Sequence, residues 1–265
     1  MQIILSEWKR SWKSLLVWSA AFALLIMGGM GKYAAGVGSP EQSIEELMGA
    51  MPESMQRLFG VGYFDLNSPV GYFAVLYMYL TLFLAVHAVF TAINAVGKEE
   101  RDHTAEFLMT RPVSRSYVLA CKLFISFVQI VVLFVVTIAI SILALSQYSE
   151  QLNMNQLTLL FAGIFGVQLA FMSLGIFIAA ISGRYKVSSM AATSCILTMF
   201  VFSALGNLFE KAEFLRFFSF FGYFESRILL SHDYPNIFIA LAAILSCVMI
   251  FLSFRFYGRR DLYFP

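Results

Sequence analysis

The chain has 265 residues, 60% of them hydrophobic and 13% charged, with 18 Lys and Arg against 16 Asp and Glu. Soluble domains carry about 45–50% apolar and about 25% charged residues, so one integral membrane domain, solvated by lipid, is expected here. A net charge of +2, with basic residues scattered along the chain, excludes a nucleic-acid-binding module.

At the start, Ile4, Trp8, Trp12 and Leu15 recur at helical spacing with Lys9, Arg10 and Lys13 on other faces. That pattern predicts an interfacial helix over residues 1–14, at the depth tryptophan favours. Basic residues before an apolar run also open a signal peptide, but no small-residue cleavage site follows, so the first span is expected to be retained. Apolar runs occupy 15–31, 70–96, 123–145, 157–181, 187–208 and 237–254. Each is near the ~20 residues that cross a hydrocarbon core. The short connections 146–156 and 182–186 make neighbouring spans antiparallel, and the fold class is an all-α integral membrane protein of about six transmembrane helices.

Lys and Arg set the orientation. With the N-terminus in the cytoplasm, that side holds Lys9, Arg10, Lys13, Lys98, Arg101, Arg111, Arg115, Lys122, Arg184, Lys186, Arg255, Arg259 and Arg260. Only Lys32, Arg57, Lys211, Arg216 and Arg227 fall outside, so both termini are expected in the cytoplasm. Two external segments are too long for simple turns. Residues 34–69 mix Ile44, Leu47, Met48, Met51 and Met55 with glutamates, which predicts one or two short amphipathic helices interrupted at Pro52. Residues 209–236 combine many phenylalanines with Glu210, Lys211, Glu213, Arg216, Glu225 and Arg227, the composition of amphipathic or re-entrant helices at the outer interface. Glu213 and Arg216, three apart, can pair on one face.

Within the spans, His87, Asn94, Gln129 and Gln168 are candidates for a substrate path, because polar groups in a bilayer are expensive; hydrogen bonds between helices are the plainer explanation. Gly175, Ala179 and Gly183 form a small-xxx-small row that lets another helix approach closely. Lys122, just inside the third span, is expected to extend its ammonium to the headgroups. Cys121, Cys195 and Cys247 lack any metal-ligand spacing and are expected as small buried residues.

No catalytic apparatus is visible. The chain has no G-x-x-x-x-G-K-[ST] phosphate cradle, no H-E-x-x-H metal pair, no G-x-S-x-G elbow and no cluster of intramembrane carboxylates. Its one conspicuously charged stretch is the 97–116 loop, with Glu99, Glu100, Arg101, Asp102, His103, Thr104, Glu106, Phe107 and Leu108, before Arg111-Pro112-Val113-Ser114-Arg115. Pro112 ends that segment and Ser114 can begin the next helix. The segment reads as a short helix along the membrane surface, or as a solvated loop that enforces topology.

The order acidic residues, Thr104, Glu106, an apolar pair, then Pro112-Val113-Ser114-Arg115 and Lys122 resembles the E-x-x-x-G-T-x-E-x-L-L…P-V-S-R…K pattern of ABC-2 type transporter permeases. The span layout, the basic N-terminus, and Phe59-Gly60 and Pro69-Val70-Gly71-Tyr72 extend the resemblance over nearly the whole chain; His103 stands where the family commonly has glycine. The resemblance implies a permease subunit of a bacterial ABC exporter, pairing with a second permease as homodimer or heterodimer. ABC ATPase subunits, which carry the ATP and Mg, would dock on the charged loop as a coupling helix. Phe107 and Leu108 would be apolar anchors there, and the charges from Glu99 to Glu106 would set register. The chain itself would bind no cofactor. Few charges within the spans and many aromatic and methionine side chains favour a hydrophobic or amphipathic cargo, such as a peptide antibiotic, a drug or a lipid, with sodium export a lesser expectation. A non-transporting sensor or assembly scaffold would show the same charged segment.

Overall fold

The computed structural model describes residues 2–37, 52, 56, 64–101, 114–148, 152–231 and 236–259. Six of its helices are long and apolar enough to cross a membrane. They are α1 (Gln2–Val37), α2 (Pro69–Arg101), α3 (Arg115–Ser146), α4 (Met154–Ser182), α5 (Tyr185–Leu208) and α8 (Asn236–Arg259). Between α5 and α8 lie a 3-10 helix (Glu210–Phe218), α6 (Phe220–Tyr223) and α7 (Ser226–Leu229). The all-α membrane fold expected from the sequence is the fold observed.

Local chemistry sets the boundaries. Pro69 opens α2 where its missing N–H is not needed, and the Ser68 hydroxyl accepts from Gly71 N at 3.0 Å. Ser114 caps α3 by accepting from Tyr117 N at 3.3 Å, and Asn153 caps α4 by accepting from Gln156 N. Gly183 stops α4 at φ 71°, a left-handed conformation that an added Cβ would strain. Gly183 is therefore the helix stop, and only Gly175 and Ala179 of the expected small-residue row remain in the helix.

Two further expectations change. The N-terminal 14 residues do not form a separate helix, because nothing between Gln2 and Val37 breaks the 36-residue α1: there is no proline, and the glycines come late. At about 1.5 Å per residue it is ~54 Å long, more than a bilayer core requires, so its first turns project beyond the apolar stretch Ser11–Ala35. Cysteine burial also varies: Cys121 is buried, Cys195 is half-buried and Cys247 lies exposed on α8. The helices expected within 34–69 fall outside the described residues, apart from the end of α1, Pro52, Gln56 and the turn at 64–68.

α2 and α4 form the centre of the bundle and share its most extensive contact. α2 also meets α1, α3 and α5, while α4 meets α3, α5 and α8. Their approach depends on small residues. Ala85, Ala88 and Ala92 are fully buried, and a Cβ placed on Gly175 would lie 2.7 Å from the Val89 carbonyl oxygen. α2 and α4 run parallel, since Gly163 packs on Tyr77 and Gly175 on Val89. One end of the bundle, where α1, α3 and α5 begin and α2, α4 and α8 finish, is its basic end; the other carries the aromatic helices between α5 and α8.

Candidate functional site

Near its C-terminus α2 meets two neighbours through side chains distant in sequence. The Tyr185 hydroxyl, on the first residue of α5, donates to Asn94 Oδ1 at 2.8 Å. Lys122 Nζ, from the second turn of α3, donates to the Val96 carbonyl at 3.3 Å. Lys122 is only 2% exposed, so it does not reach toward headgroups as expected. The Val96 carbonyl has a second lone pair beyond its helix bond, and the ammonium of this buried lysine takes it.

Beyond Val96 the helix continues. Lys98, Glu99, Glu100 and Arg101 are good helix formers with no proline among them, so the final turn of α2 absorbs the start of the expected 97–116 loop. Glu99, Glu100 and Arg101 thus prolong the axis of α2 instead of beginning a separate surface helix. Asp102, His103, Thr104, Glu106, Phe107 and Leu108 lie outside the described residues.

The four polar candidates inside the spans are not brought together. Asn94 belongs to the contact with Tyr185. His87 is buried, with Nε2 3.3 Å from Thr91 Oγ1 and its ring edge-on to Trp18 at 5.4 Å; among the described residues its Nδ1 has no hydrogen bond. Gln168 is fully buried with neither amide atom bonded among the described residues, while Gln129 is buried on α3.

A larger polar constellation occupies that aromatic end. Arg216 reaches Glu213 Oε1 at 3.1 Å, as the three-residue spacing suggested, and Asn207 Oδ1 at 2.9 Å. Asn207 Nδ2 donates to Glu225 Oε1 at 2.8 Å, and Arg227 Nε lies 3.8 Å from that oxygen. Burial holds the Glu225 carboxyl above the ordinary carboxylate range, opposed by the guanidinium groups of Arg216 and Arg227 and by the Asn207 bond. A cavity of about 50 Å³ adjoins this network, with Thr81, Ser203, Glu225 and Arg227 on its polar side and Phe200, Phe221 and Phe224 on its apolar side. It has room for several waters, each needing roughly 10–15 Å³. The sequence offered only Glu213 and Arg216 as a pair; Asn207 and Glu225, 18 residues apart, meet because the chain doubles back after α5.

Residues 1–262 match the family model described as ABC-2 family transporter protein. The chain belongs to the ABC-2 transporter family. A search of curated proteins found no match. The match spans all six candidate membrane helices, so this ABC-2 permease is a multi-pass membrane protein of the transporter type, and the family as a class works with ABC ATPase subunits.

Proposed function

We propose that this permease is the membrane subunit of an ATP-driven exporter in a prokaryotic plasma membrane. It lines the path together with a second permease and is worked by separate ATPase subunits at the cytoplasmic, basic end. The observation that carries the reading is the continuity of α2 through Arg101. The helix at the centre of the bundle leads, without a break, into the charged residues that resemble the family's coupling segment. A load applied to Glu99, Glu100 and the residues that follow is delivered to α1, α3, α4 and α5, all of which pack on α2. ATP and Mg belong to the ATPase subunits. A hydrophobic or amphipathic cargo is favoured by the sparsity of charge within the spans.

The test is to purify the complex with its ATPase, reconstitute it in liposomes, and measure ATP hydrolysis stimulated by a fluorescent amphipathic dye. Glu100→Ala and Phe107→Ala are expected to lower that stimulation by about tenfold, the loss of ~1.4 kcal/mol of docking energy. Unchanged hydrolysis and assembly in both variants would remove the coupling role from these residues. Hydrolysis without dye movement, in a complex that still assembles, would favour the sensor or scaffold.

A further inference from the structure

We infer that Tyr185 is a positioning residue that carries movement of the basic end of α2 into α5. The inference rests on the reading that an ATPase drives the segment following α2. Tyr185 and Asn94 are 91 residues apart in sequence, so their 2.8 Å hydrogen bond fastens two different spans. Three residues further along α2, Gly97 lets the backbones close. A Cβ there would stand 3.3 Å from the Tyr185 ring and 3.6 Å from its Cα. A methyl at 97 would require the Tyr185 ring to give by a few tenths of an ångström.

The turn that carries Tyr185 is stiff. The Ser182 hydroxyl donates to Ile178 O at 2.8 Å and lies 2.5 Å from the Ser188 hydroxyl, which lies 2.9 Å from Arg184 O. These contacts bind the last turn of α4 to the first turn of α5 across Gly183. Tyr185 consequently moves with α5 instead of swinging on a loop, and a displacement of Asn94 is passed to a helix.

α5 is suited to receive it. Further along, Ala192 and Ile196 are buried against the bundle, the Ser219 hydroxyl donates to Met199 O at 2.6 Å, and Arg216 bonds Asn207. Much of the rest of its surface is exposed, with Val187, Met190, Leu197 and Val201 facing away from the bundle. At about 1.5 Å per residue, its 24 residues form a rod ~36 Å long that packs on α2 and α4 along one side. Physical coupling requires a contact whose two sides move together, and the hydroxyl of Tyr185 is a contact that one atom's removal can break.

The experiment uses the full chain with its ATPase in lipid nanodiscs, with nitroxide pairs read by pulsed spin resonance before and after trapping with ATP and vanadate. One pair, at Cys195 and Cys247, reports α5 against α8. The other, at Phe83→Cys and Cys247 with Cys195→Ser, reports α2 against α8. Both distances are expected to shift in the otherwise unmodified chain. Tyr185→Phe, which keeps the ring, is expected to leave the α2 shift intact and reduce the α5 shift by about half or more if the contact carries the movement. Asn94→Leu removes the same bond from its other side and gives the same loss, whereas Asn94→Asp keeps an acceptor and restores the shift. Full α5 movement in both Tyr185→Phe and Asn94→Leu overturns the inference and leaves the ATPase reading standing. Absence of any nucleotide-driven shift in the unmodified chain, with the ATPase bound, overturns that reading and the inference with it.

Discussion

At its aromatic end α2 is fastened by Tyr77, whose hydroxyl donates to Phe224 O at 2.8 Å, and by Ser226, whose hydroxyl donates to Ala74 O at 3.0 Å. Those partners flank Glu225 and hence the network of Arg216, Asn207 and Arg227. At its basic end, among the described residues, Tyr185 of α5 bonds Asn94 and Lys122 of α3 bonds Val96, hydrogen bonds made by separate helices. The difference is one of redundancy. In a connected set of buried charges, losing one member leaves the others desolvated and unmatched, whereas a single hydrogen bond contributes only about 1 kcal/mol net. The end proposed to receive the ATPase's work thus shows, among the described residues, hydrogen bonds that can be cut one at a time, and the far end shows a connected network.

Arg216→Ala should separate the two ends most strongly. It removes a side chain that is 8% exposed, strips Asn207 of its guanidinium partner and leaves Glu225 with Arg227 alone, at a cost of about 3 kcal/mol. Thermal unfolding in detergent measures it, and a loss below ~1 kcal/mol would erase the distinction between a connected network and bonds cut one at a time. Gly175→Ala acts midway along α2. Its new Cβ meets Val89 O at 2.7 Å and Ala92 Cβ at 3.0 Å, so the helices must part at about 2 kcal/mol. Titration with a denaturing detergent should show this, and an unchanged midpoint would rule out such close backbone contact.

Tyr77→Phe is a milder cut at the aromatic end. It leaves the buried Phe224 carbonyl without the phenol hydrogen and should lower stability by about 1 kcal/mol, read as the shift in unfolding midpoint. The smallest effect expected is a pH dependence. Because burial raises the Glu225 carboxyl in the folded state, its contribution is fully present below the ordinary carboxylate value and fades as pH rises through the raised value. Glu225→Gln, which does not titrate, should flatten that slope in midpoints measured from acidic to neutral pH. An identical slope in the variant would place the dependence on another group.

The six spans were legible because a helix crossing lipid must bury every backbone polar group in itself and cover it with apolar side chains. The apolar runs at 70–96 and 157–181 correspond to Pro69–Gly97 and Met154–Ser182. The caps at Ser114 and the pair Glu213–Arg216 were also readable, since each is a local pattern a few residues long. What escaped was the identity of the partners across the bundle. The side chain of Lys122 looked bound for headgroups because nothing in its neighbourhood of sequence announces Val96, 26 residues earlier. Asn94 makes the bond between helices that was the plainer expectation for it, but its partner Tyr185, 91 residues away, has no signature in the local sequence.

Composition and periodicity by themselves determined that this chain enters a membrane as helices, roughly where each begins and ends, and, through the order of residues around Thr104 and Pro112, which family it resembles. The tertiary structure alone decided which helices face protein. In the most apolar window of α4, 67% of residues are buried, against 17% in α8, although both helices are apolar throughout. Lipid tails are as apolar as leucine, so hydropathy cannot tell a lipid-facing helix from a central one. What separates them is whether small residues such as Ala88 and Gly175 are set opposite one another, and that is known only once the helices are packed.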